Sequence, residues 1–323
     1  MGAAASVVIP TYNRVSELRR TVISLLRQTV QLEILVMDDG STNETASMIR
    51  DEFPQVHYNQ LGNRKGPAFQ RNRGVERATT NIVIGVDDDA ELVSPHTVEQ
   101  TLAEFSHPKV GAVAMPYINV REDATIWQQC PAAGEIYATS SFVGAAHALR
   151  RNVFLSLGGY REHLFYYGEE SDFCIRMLNA GYIVRLGSAD AIHHLESLRR
   201  EFPLQDYYGS RNTLLFAYQN APIHILPVHW LASSWKVARW TPDPPRLANR
   251  IKGIAHAHKW CFRNRAERDP VSAVTYRLFR RLRKKGALRF SNIESLLNQP
   301  ATELESGAGT GQDTRVRVTA LDS

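Results

Sequence analysis

The sequence predicts an α/β fold, with a doubly wound, mostly parallel sheet flanked by helices. From residue 6 to about residue 116, short β-branched runs alternate with amphipathic stretches, which is the pattern of βαβ units. The chain also has 323 residues and 43% apolar content, enough to bury a large core. Sheets of this kind bind ligands beyond the carboxyl ends of their strands, so the residues that follow each strand are the candidates for chemistry.

Individual strands and helices follow from the same pattern. The predicted strands are Val7 to Pro10, Glu33 to Met37, Val56 to Asn59, Ile82 to Val86 and Val110 to Met115. The predicted helices are Val15 to Gln28, Asn43 to Phe53, Pro67 to Ala78 and Glu170 to Ala180. In the first helix, Leu18, Val22 and Leu25 recur at spacings of three and four residues, which predicts one apolar face packed on the sheet.

Composition excludes several classes of protein. The longest apolar stretch, Ile223 to Trp235, is interrupted by polar residues and is shorter than the roughly 20 residues that cross a bilayer. The first ten residues lack the features of a secretion signal, so we expect a cytoplasmic protein, at most peripheral at the inner face of the membrane. Three scattered cysteines indicate ordinary thiols. A net charge of +5 is too modest to predict a nucleic-acid partner.

Three consecutive aspartates, Asp87 to Asp89, follow the predicted strand Ile82 to Val86. Adjacent carboxylates repel one another, so a cation or a set of donors must offset their charge. Mg²⁺ and Mn²⁺ take carboxylate oxygens and share their other positions with phosphate and water. In an extended segment Asp87 and Asp89 point to the same side, which favours one shared ion, while Asp88 points toward a ribose or a helix terminus. A solvated turn that caps the next helix is the alternative.

The triplet is one of five motifs that follow one another along the chain. The others are Ser6 to Arg14 (SVVIPTYNR), Val36 to Thr42 (VMDDGST), Arg71 to Gly74 (RNRG) and Gly168 to Asp172 (GEESD). Together they resemble the inverting glycosyltransferases of family 2, which have the GT-A fold, over about residues 5–220. The resemblance implies transfer of one sugar from a nucleotide-diphosphate sugar to an acceptor hydroxyl, in the biosynthesis of a cell-surface glycan, polysaccharide or glycoconjugate.

The resemblance places the nucleotide sugar, expected to be a UDP sugar, against the N-terminal motifs. It implies that Pro10, Thr11, Tyr12 and Asp39 hold the base, with Tyr12 on its face and Asp39 accepting from a ring N–H. An acidic residue in a Gly–Ser turn is also ordinary turn chemistry, and that alternative stays open. The other side chains expected to bind the nucleotide sugar are Arg14, Arg71, Asn72, Asp87, Asp88, Glu169 and Arg211.

The resemblance also identifies a general base. Glu170 occupies the second acidic position of the family's Glu-Asp-x-Asp element, where this chain has Glu in place of the frequent Asp. At the start of a helix its carboxylate stays ionised, as a base requires. Asp172 is the alternative catalytic residue, although pairing with Arg176 at i+4 would give it a structural role.

Asp87, Asp89 and a histidine are expected to bind the metal ion, Mn²⁺ or Mg²⁺. His193 and His194 follow an extended segment at a place where some relatives supply a histidine, and His193 is preferred. Neutral imidazole is a sound ligand for Mn²⁺.

The resemblance divides the chain into three regions. The resemblance predicts a catalytic domain over residues 1–225, with a nucleotide-sugar half to about residue 116 and an acceptor half over 117–225. The charge pattern predicts a basic, mainly helical C-terminal region over residues 226–290. Residues 291–323 are predicted to be disordered, because they contain few large apolar side chains.

The basic region leaves two interpretations open. Val274, Leu278 and Leu282 share a helical face beside arginines, which fits an amphipathic helix on an anionic membrane. The same pattern fits a solvated helix in a C-terminal bundle. Accordingly, the acceptor is expected to be a glycan, a lipid-linked molecule or a small molecule.

Two other functions are retained as alternatives. A nucleotidyltransferase that makes an activated sugar has a related sheet, but it usually carries a Gly-rich basic loop that Pro10 to Arg14 does not form. A non-catalytic carbohydrate-binding protein of the same fold would not require the intact acidic motifs. A NAD-binding domain is excluded because no GxGxxG follows the first strand.

Overall fold

The computed structural model describes residues 2–195, 202–239 and 243–297. Within these residues there are thirteen strands and eleven α-helices. The strands are β1 (Ala5–Thr11), β2 (Leu32–Asp38), β3 (His57–Gln60), β4 (Ile82–Val86), β5 (Ala90–Glu91), β6 (Val110–Ala114), β7 (Tyr117–Asn119), β8 (Ile126–Trp127), β9 (Tyr137–Thr139), β10 (Ala146–Arg150), β11 (Ile183–Leu186), β12 (Ile192–His194) and β13 (Leu288–Arg289). The helices are α1 (Val15–Leu26), α2 (Thr45–Glu52), α3 (Pro67–Arg77), α4 (Thr97–Ala103), α5 (Arg151–Ser156), α6 (Glu169–Asn179), α7 (Phe202–Asn220), α8 (Leu226–Arg239), α9 (Pro244–Arg263), α10 (Ala273–Lys285) and α11 (Glu294–Leu297).

The strands form two sheets. The larger has the order β13-β9-β11-β6-β10-β4-β1-β2-β3, and the smaller has the order β5-β12-β7-β8. Strands β1, β2, β3 and β4 pair in parallel, as βαβ units require. The predicted strands and helices all form, with bounds within two residues of those expected. The α/β prediction is therefore confirmed.

Beyond the N-terminal strands the larger sheet is mixed, because β11 pairs in parallel with β6 while β9 and β10 run in the opposite direction. Strand β10 runs antiparallel to β4 and β6, and β9 runs antiparallel to β11 and β13. After β6 the chain builds the short strands β7 and β8 at the carboxyl edge. It enters β9 and β10 from that same edge without a crossover helix, so both run opposite to β6.

The C-terminal region packs on the rest of the chain. Asp206 of α7 accepts hydrogen bonds from Arg246 and Arg250 of α9, each at 2.7 Å at the closest. Strand β13 pairs with β9 and completes the larger sheet. The region predicted as a C-terminal extension thus contributes a strand to the central sheet.

Helix α10 is the segment for which two interpretations were open, and its apolar side is buried. Leu278 and Leu282 are 4% and 0% exposed and join the central core. These two leucines therefore face the protein core and not a lipid surface, and α10 packs against α6 and β9. Among the described helices, none is both long and apolar enough to cross a bilayer.

The first residues of the predicted disordered tail, 291–297, are ordered. Residues 290–292 form a 3-10 turn, α11 follows, and Ile293 is fully buried in the core. One buried isoleucine anchors this segment, which average composition does not reveal. The remainder of the predicted tail, residues 298–323, lies outside the described residues.

Candidate active site

Polar side chains gather at the carboxyl edge of the parallel strands. Strands β1, β2 and β4 end at Thr11, Asp38 and Val86, and the acidic start of α6 lies close to the same edge. Gly168, with φ +94°, adopts the left-handed conformation that turns the chain into α6. The five sequence motifs therefore surround one cleft.

Asp87, Asp89 and His194 form a group that can hold a metal ion. Each offers one ligand atom, and these atoms lie within 4.8 Å of one another. Burial raises the pKa of Asp89, but a hydrogen bond with His194 and the charge of Arg14 outweigh it and lower the pKa to about 2. That carboxylate is ionised at neutral pH. Two carboxylates and an imidazole are donors that suit Mn²⁺.

The histidine in this group is His194, and the preference for His193 is wrong. Both residues lie on β12, whose successive side chains point to opposite faces. His194 Nε2 lies 3.3 Å from Asp89 Oδ1. The sequence alone does not give the register of β12 in its sheet. It therefore could not show which of the two histidines faces the aspartates.

Arg14 offsets much of the charge of the aspartate triplet. Its Nη1 lies 2.9 Å from Asp88 Oδ1 and 2.7 Å from Asp89 Oδ2. Asp88 also accepts a hydrogen bond of 2.8 Å from Thr11 Oγ1, and burial raises its pKa to about 7 although Arg14 opposes this. Thr11 and Asp88 are buried, and Arg14 is paired with two aspartates. Together they fasten β1 to the end of β4, and their contacts with the nucleotide stay a prediction.

Asp39 organises the loop that precedes α3. Its carboxylate accepts from the backbone N–H groups of Lys65 and Gly66 at 2.7 and 2.9 Å, and from Gln70 Nε2 at 2.9 Å. The residue is 5% exposed. The structure therefore shows Asp39 in the turn role that was left open, and contact with a base would require this loop to move.

Tyr12 is the more accessible residue of the expected base site. Its side chain is exposed, and the Arg64 guanidinium carbon lies 4.4 Å from the ring centroid. Pro10 lies half-buried at the end of β1. The face of Tyr12 that was expected to stack on a base is thus covered by a cation from the Asp39 loop.

Arg71 links the metal-binding group to helix α6. Its Nη2 lies 2.7 Å from Asp87 Oδ1, and its Nη1 lies 3.1 Å from Glu169 Oε1. Burial raises the pKa of Glu169 to about 8, helped by neighbouring Glu170 and opposed by Arg71. Arg71 and Glu169 are both buried and contact each other, and their direct contacts with the nucleotide sugar stay a prediction.

Asn72 and Arg211 have structural roles as well. The Asn72 amide accepts from Tyr160 N–H and donates to Tyr160 C=O, both at 2.9 Å. Arg211 donates to the carbonyl of His163 at 2.7 Å and is 5% exposed. Both side chains hold the loop that leads into α6. Both are buried, and their roles in nucleotide binding stay a prediction.

Asp172 is excluded as the base by its contacts. Arg161 Nη1 and Asn220 Nδ2 donate to Oδ1 at 2.7 and 2.8 Å, and Arg176 Nε donates to Oδ2 at 3.1 Å. The residue is fully buried. Its carboxylate anchors α6 to α7, and the catalytic alternative for Asp172 is wrong.

Glu170, by contrast, is half-buried at the start of α6. Burial raises its pKa above the ordinary glutamate value, and the charge of Arg71 opposes that shift. A raised pKa brings a carboxylate closer to the proton affinity that a general base requires near neutral pH.

Gly144 is a site residue that the sequence did not reveal. A Cβ there would lie 2.4 Å from Arg71 Nη2 and 2.8 Å from Glu170 Oε1. The absence of a side chain lets the backbone lie against both charged groups. Since Gly144 belongs to no motif and lies in an irregular stretch, no local pattern could have identified it.

Comparison with known proteins is consistent with this geometry. The family model described as glycosyl transferase family 2 matches residues 6–166. Pre-mycofactocin glycosyltransferase of Mycobacterium tuberculosis is 30% identical over 225 residues, covering 63% of this chain and 46% of that protein. Validoxylamine A glucosyltransferase of Streptomyces hygroscopicus is 36% identical over 118 residues, covering 34% and 27%. The chain thus spans less than half the length of these relatives.

Solved structures show the same fold. A mannosyltransferase of Pyrobaculum calidifontis, in complex with GDP-Man and Mn²⁺, matches with a TM-score of 0.55 at 19% identity, over 91% of this chain and 85% of that one. GalNAc-T7 with UDP, GalNAc and Mn²⁺ matches with a TM-score of 0.59 at 18% identity, over 82% and 56%. The architecture is that of GT-A glycosyltransferases.

Proposed function

Because the chain belongs to glycosyl transferase family 2 through residues 6–166, we propose that it moves one sugar from a nucleotide-diphosphate sugar to an acceptor hydroxyl. The main support for this proposal is the arrangement of side chains around Arg71. This guanidinium contacts Asp87 of the metal-binding group on one side and the acidic start of α6 on the other. A site for a cation and a candidate base therefore border one cleft.

The side chains divide the chemistry between them. Glu170 takes the proton of the incoming hydroxyl, since it is half-buried at the start of α6, and no salt bridge to it is found among the described residues. Asp87, Asp89 and His194 hold the divalent ion, for which Mn²⁺ suits the imidazole better than Mg²⁺. When bound, that ion supplies positive charge that offsets the charge of the departing diphosphate. Attack opposite the diphosphate inverts the anomeric configuration.

The donor is proposed to be a UDP sugar that lies along the carboxyl edge of β1 and β2. Tyr12 offers an exposed ring for the base once Arg64 moves away. The acceptor is a glycan, a lipid-linked molecule or a small molecule with a free hydroxyl.

A thermal-shift screen of UDP, GDP and dTDP sugars with Mn²⁺ tests this proposal. Ligand that binds the folded chain raises its apparent stability by mass action, about 2.7 kcal/mol at a hundred times Kd. We expect a UDP sugar to raise the Tm in the presence of Mn²⁺ and to release UDP slowly by hydrolysis. Release of pyrophosphate from a nucleoside triphosphate and a sugar 1-phosphate, with no UDP released from any nucleotide sugar, would favour a nucleotidyltransferase. If no nucleotide sugar binds or is hydrolysed, with or without Mn²⁺, a non-catalytic protein is favoured.

We further propose that α8, in place of α10, gives the C-terminal region its contact with an anionic lipid surface. Val228, Leu231 and Trp235 are 73%, 70% and 63% exposed and recur at helical spacing, which places them on one face. Arg280 and Arg283 of α10 are exposed and lie close enough to His229 of α8 to help burial lower its pKa. They thus place positive charge near α8, although His229 does not lie on the apolar face. An exposed apolar helix face in a basic region fits an anionic bilayer.

Leu231→Glu is expected to weaken binding to phosphatidylglycerol vesicles by about tenfold or more, because it places a like charge against the lipid surface. Vesicle cosedimentation measures this, and Leu155→Glu, which alters an exposed leucine on α5, is the matched control. Equal binding to purely zwitterionic vesicles would contradict the role of the arginines. If the unaltered chain were a dimer and Leu231→Glu dissociated it, the apolar face of α8 would be the contact with a second copy of the chain.

A further inference from the structure

We infer that Trp127 forms a stacking platform for a sugar ring of the acceptor, an inference that rests on the proposed function. The indole is 49% exposed on β8, the edge strand of the smaller sheet. The C–H face of a pyranose ring is apolar and packs flat on an aromatic ring, while its hydroxyls stay in water. The platform would therefore recognise a carbohydrate acceptor.

The register of the smaller sheet places Trp127 on the same face as His194. Tyr117 of β7 pairs with Ile192 of β12 and with Trp127 of β8. His194 lies two residues after Ile192, and side chains alternate along a strand, so His194, Tyr117 and Trp127 share one face. The rings of Tyr117 and His194 meet edge-on, with centroids 6.3 Å apart. Two strand spacings, about 10 Å, separate β8 from β12.

Gln128, the residue after Trp127, connects this platform to the other side of the cleft. Gln128 has φ +60°, a left-handed conformation that costs a non-glycine residue about 1 kcal/mol or more. Its side chain donates to the carbonyls of Met115 and Ala146 at 2.7 and 2.9 Å and accepts from Val143 N–H at 2.6 Å. These bonds hold the unfavourable backbone conformation in place.

The Gln128 bonds also bring the platform close to the candidate base. Val143, which donates to Gln128, is followed by Gly144, which lies against Glu170 and Arg71. Trp127 thus stands at the mouth of the cleft, fixed to the His194 side by strand pairing and to the Glu170 side by Gln128. An acceptor ring stacked there would present a hydroxyl to the space between the metal-binding group and Glu170.

Two substitutions of Trp127 test whether its aromatic ring binds a sugar or is simply exposed at the surface. Trp127→Ala removes the ring, and Trp127→Phe keeps an aromatic face. Ile126→Ala is the matched control, because Ile126 is 40% exposed on the same short strand and points to the opposite face. Both positions lie at an exposed edge, so the three variants keep the buried core intact.

The probes are the methyl glycosides of glucose, galactose, mannose and N-acetylglucosamine, measured by saturation-transfer NMR with UDP and Mn²⁺ present. We expect at least one to bind the unaltered chain through the protons of its C–H face. Trp127→Ala should weaken its Kd about tenfold or more, whereas Trp127→Phe and Ile126→Ala should remain within about threefold. Equal binding by Trp127→Ala, or no binding of any glycoside to the unaltered chain, would overturn the inference.

Hydrolysis of the nucleotide sugar separates this inference from the proposed function. Trp127 lies on the acceptor side, so Trp127→Ala should hydrolyse the donor at the rate of the unaltered chain. Unchanged hydrolysis together with lost glycoside binding supports the platform. If hydrolysis continues and glycoside binding is also unchanged, the platform alone fails; if no donor is hydrolysed by either protein, the proposed function fails.

Discussion

Glu170→Gln is expected to lower sugar transfer by about a hundredfold or more while leaving the Kd of the donor unchanged. The amide keeps the size of the side chain but cannot accept the proton of the attacking hydroxyl, and a positioned general base contributes about 10²- to 10⁴-fold. Steady-state transfer assays measure the loss. Titration of the nucleotide sugar in a thermal-shift assay shows that the variant is folded and binds its donor. Near-normal turnover would assign the base elsewhere.

The pH dependence supplies an independent signature of the same residue. A base acts when deprotonated, so kcat/KM falls as the pH drops through its pKa. Because burial raises the pKa of Glu170, the acidic limb should lie above the ordinary glutamate range. The residual activity of Glu170→Gln should lack this limb. A limb that persists in the variant would belong to a different group.

Asp87→Asn and His194→Ala are each expected to reduce Mn²⁺-dependent transfer by about tenfold to a hundredfold or more. Each change removes one of the three ligand atoms that lie within 4.8 Å of one another. Titration with Mn²⁺ should show weaker activation in both variants, and chelation by EDTA should abolish transfer by the unaltered chain. Mn²⁺ binding itself can be followed by electron paramagnetic resonance, without an activity assay.

His193→Ala is the matched control for this experiment. It removes an imidazole from the same strand, but the side chain points to the opposite face from His194. Transfer and Mn²⁺ affinity should stay close to those of the unaltered chain. If His193→Ala were as damaging as His194→Ala, the ligand assignment would be refuted.

The local patterns of this chain were enough to predict its strands and helices, because apolar spacing in α1 or in β4 reports directly on burial. The sequence also predicted that the acidic motifs lie at one edge of the sheet, because the carboxyl ends of parallel strands meet there. The antiparallel direction of β9 and β10 could not be predicted from local patterns. It depends on the path of the chain through β7 and β8, which only the complete topology defines.

Side-chain roles were harder to predict than positions. Asp172 sits in an acidic motif, yet its carboxylate is bound by Arg161, which lies outside that motif, and by Asn220 of α7. Arg71 matches an element expected near phosphate, but its partners are Asp87 and Glu169. A motif gives the residue type and the approximate place, whereas the partners that saturate a charged group come from tertiary packing.

The pairing of β13 with β9 has a consequence for how the chain reaches its native state. Strand β9 is complete once residue 139 has been synthesised, but its outer partner begins at residue 288. During vectorial synthesis the growing polypeptide therefore carries unpaired backbone amides and carbonyls at β9 for about half its length. Such an open edge invites pairing with another nascent chain until the late strand arrives.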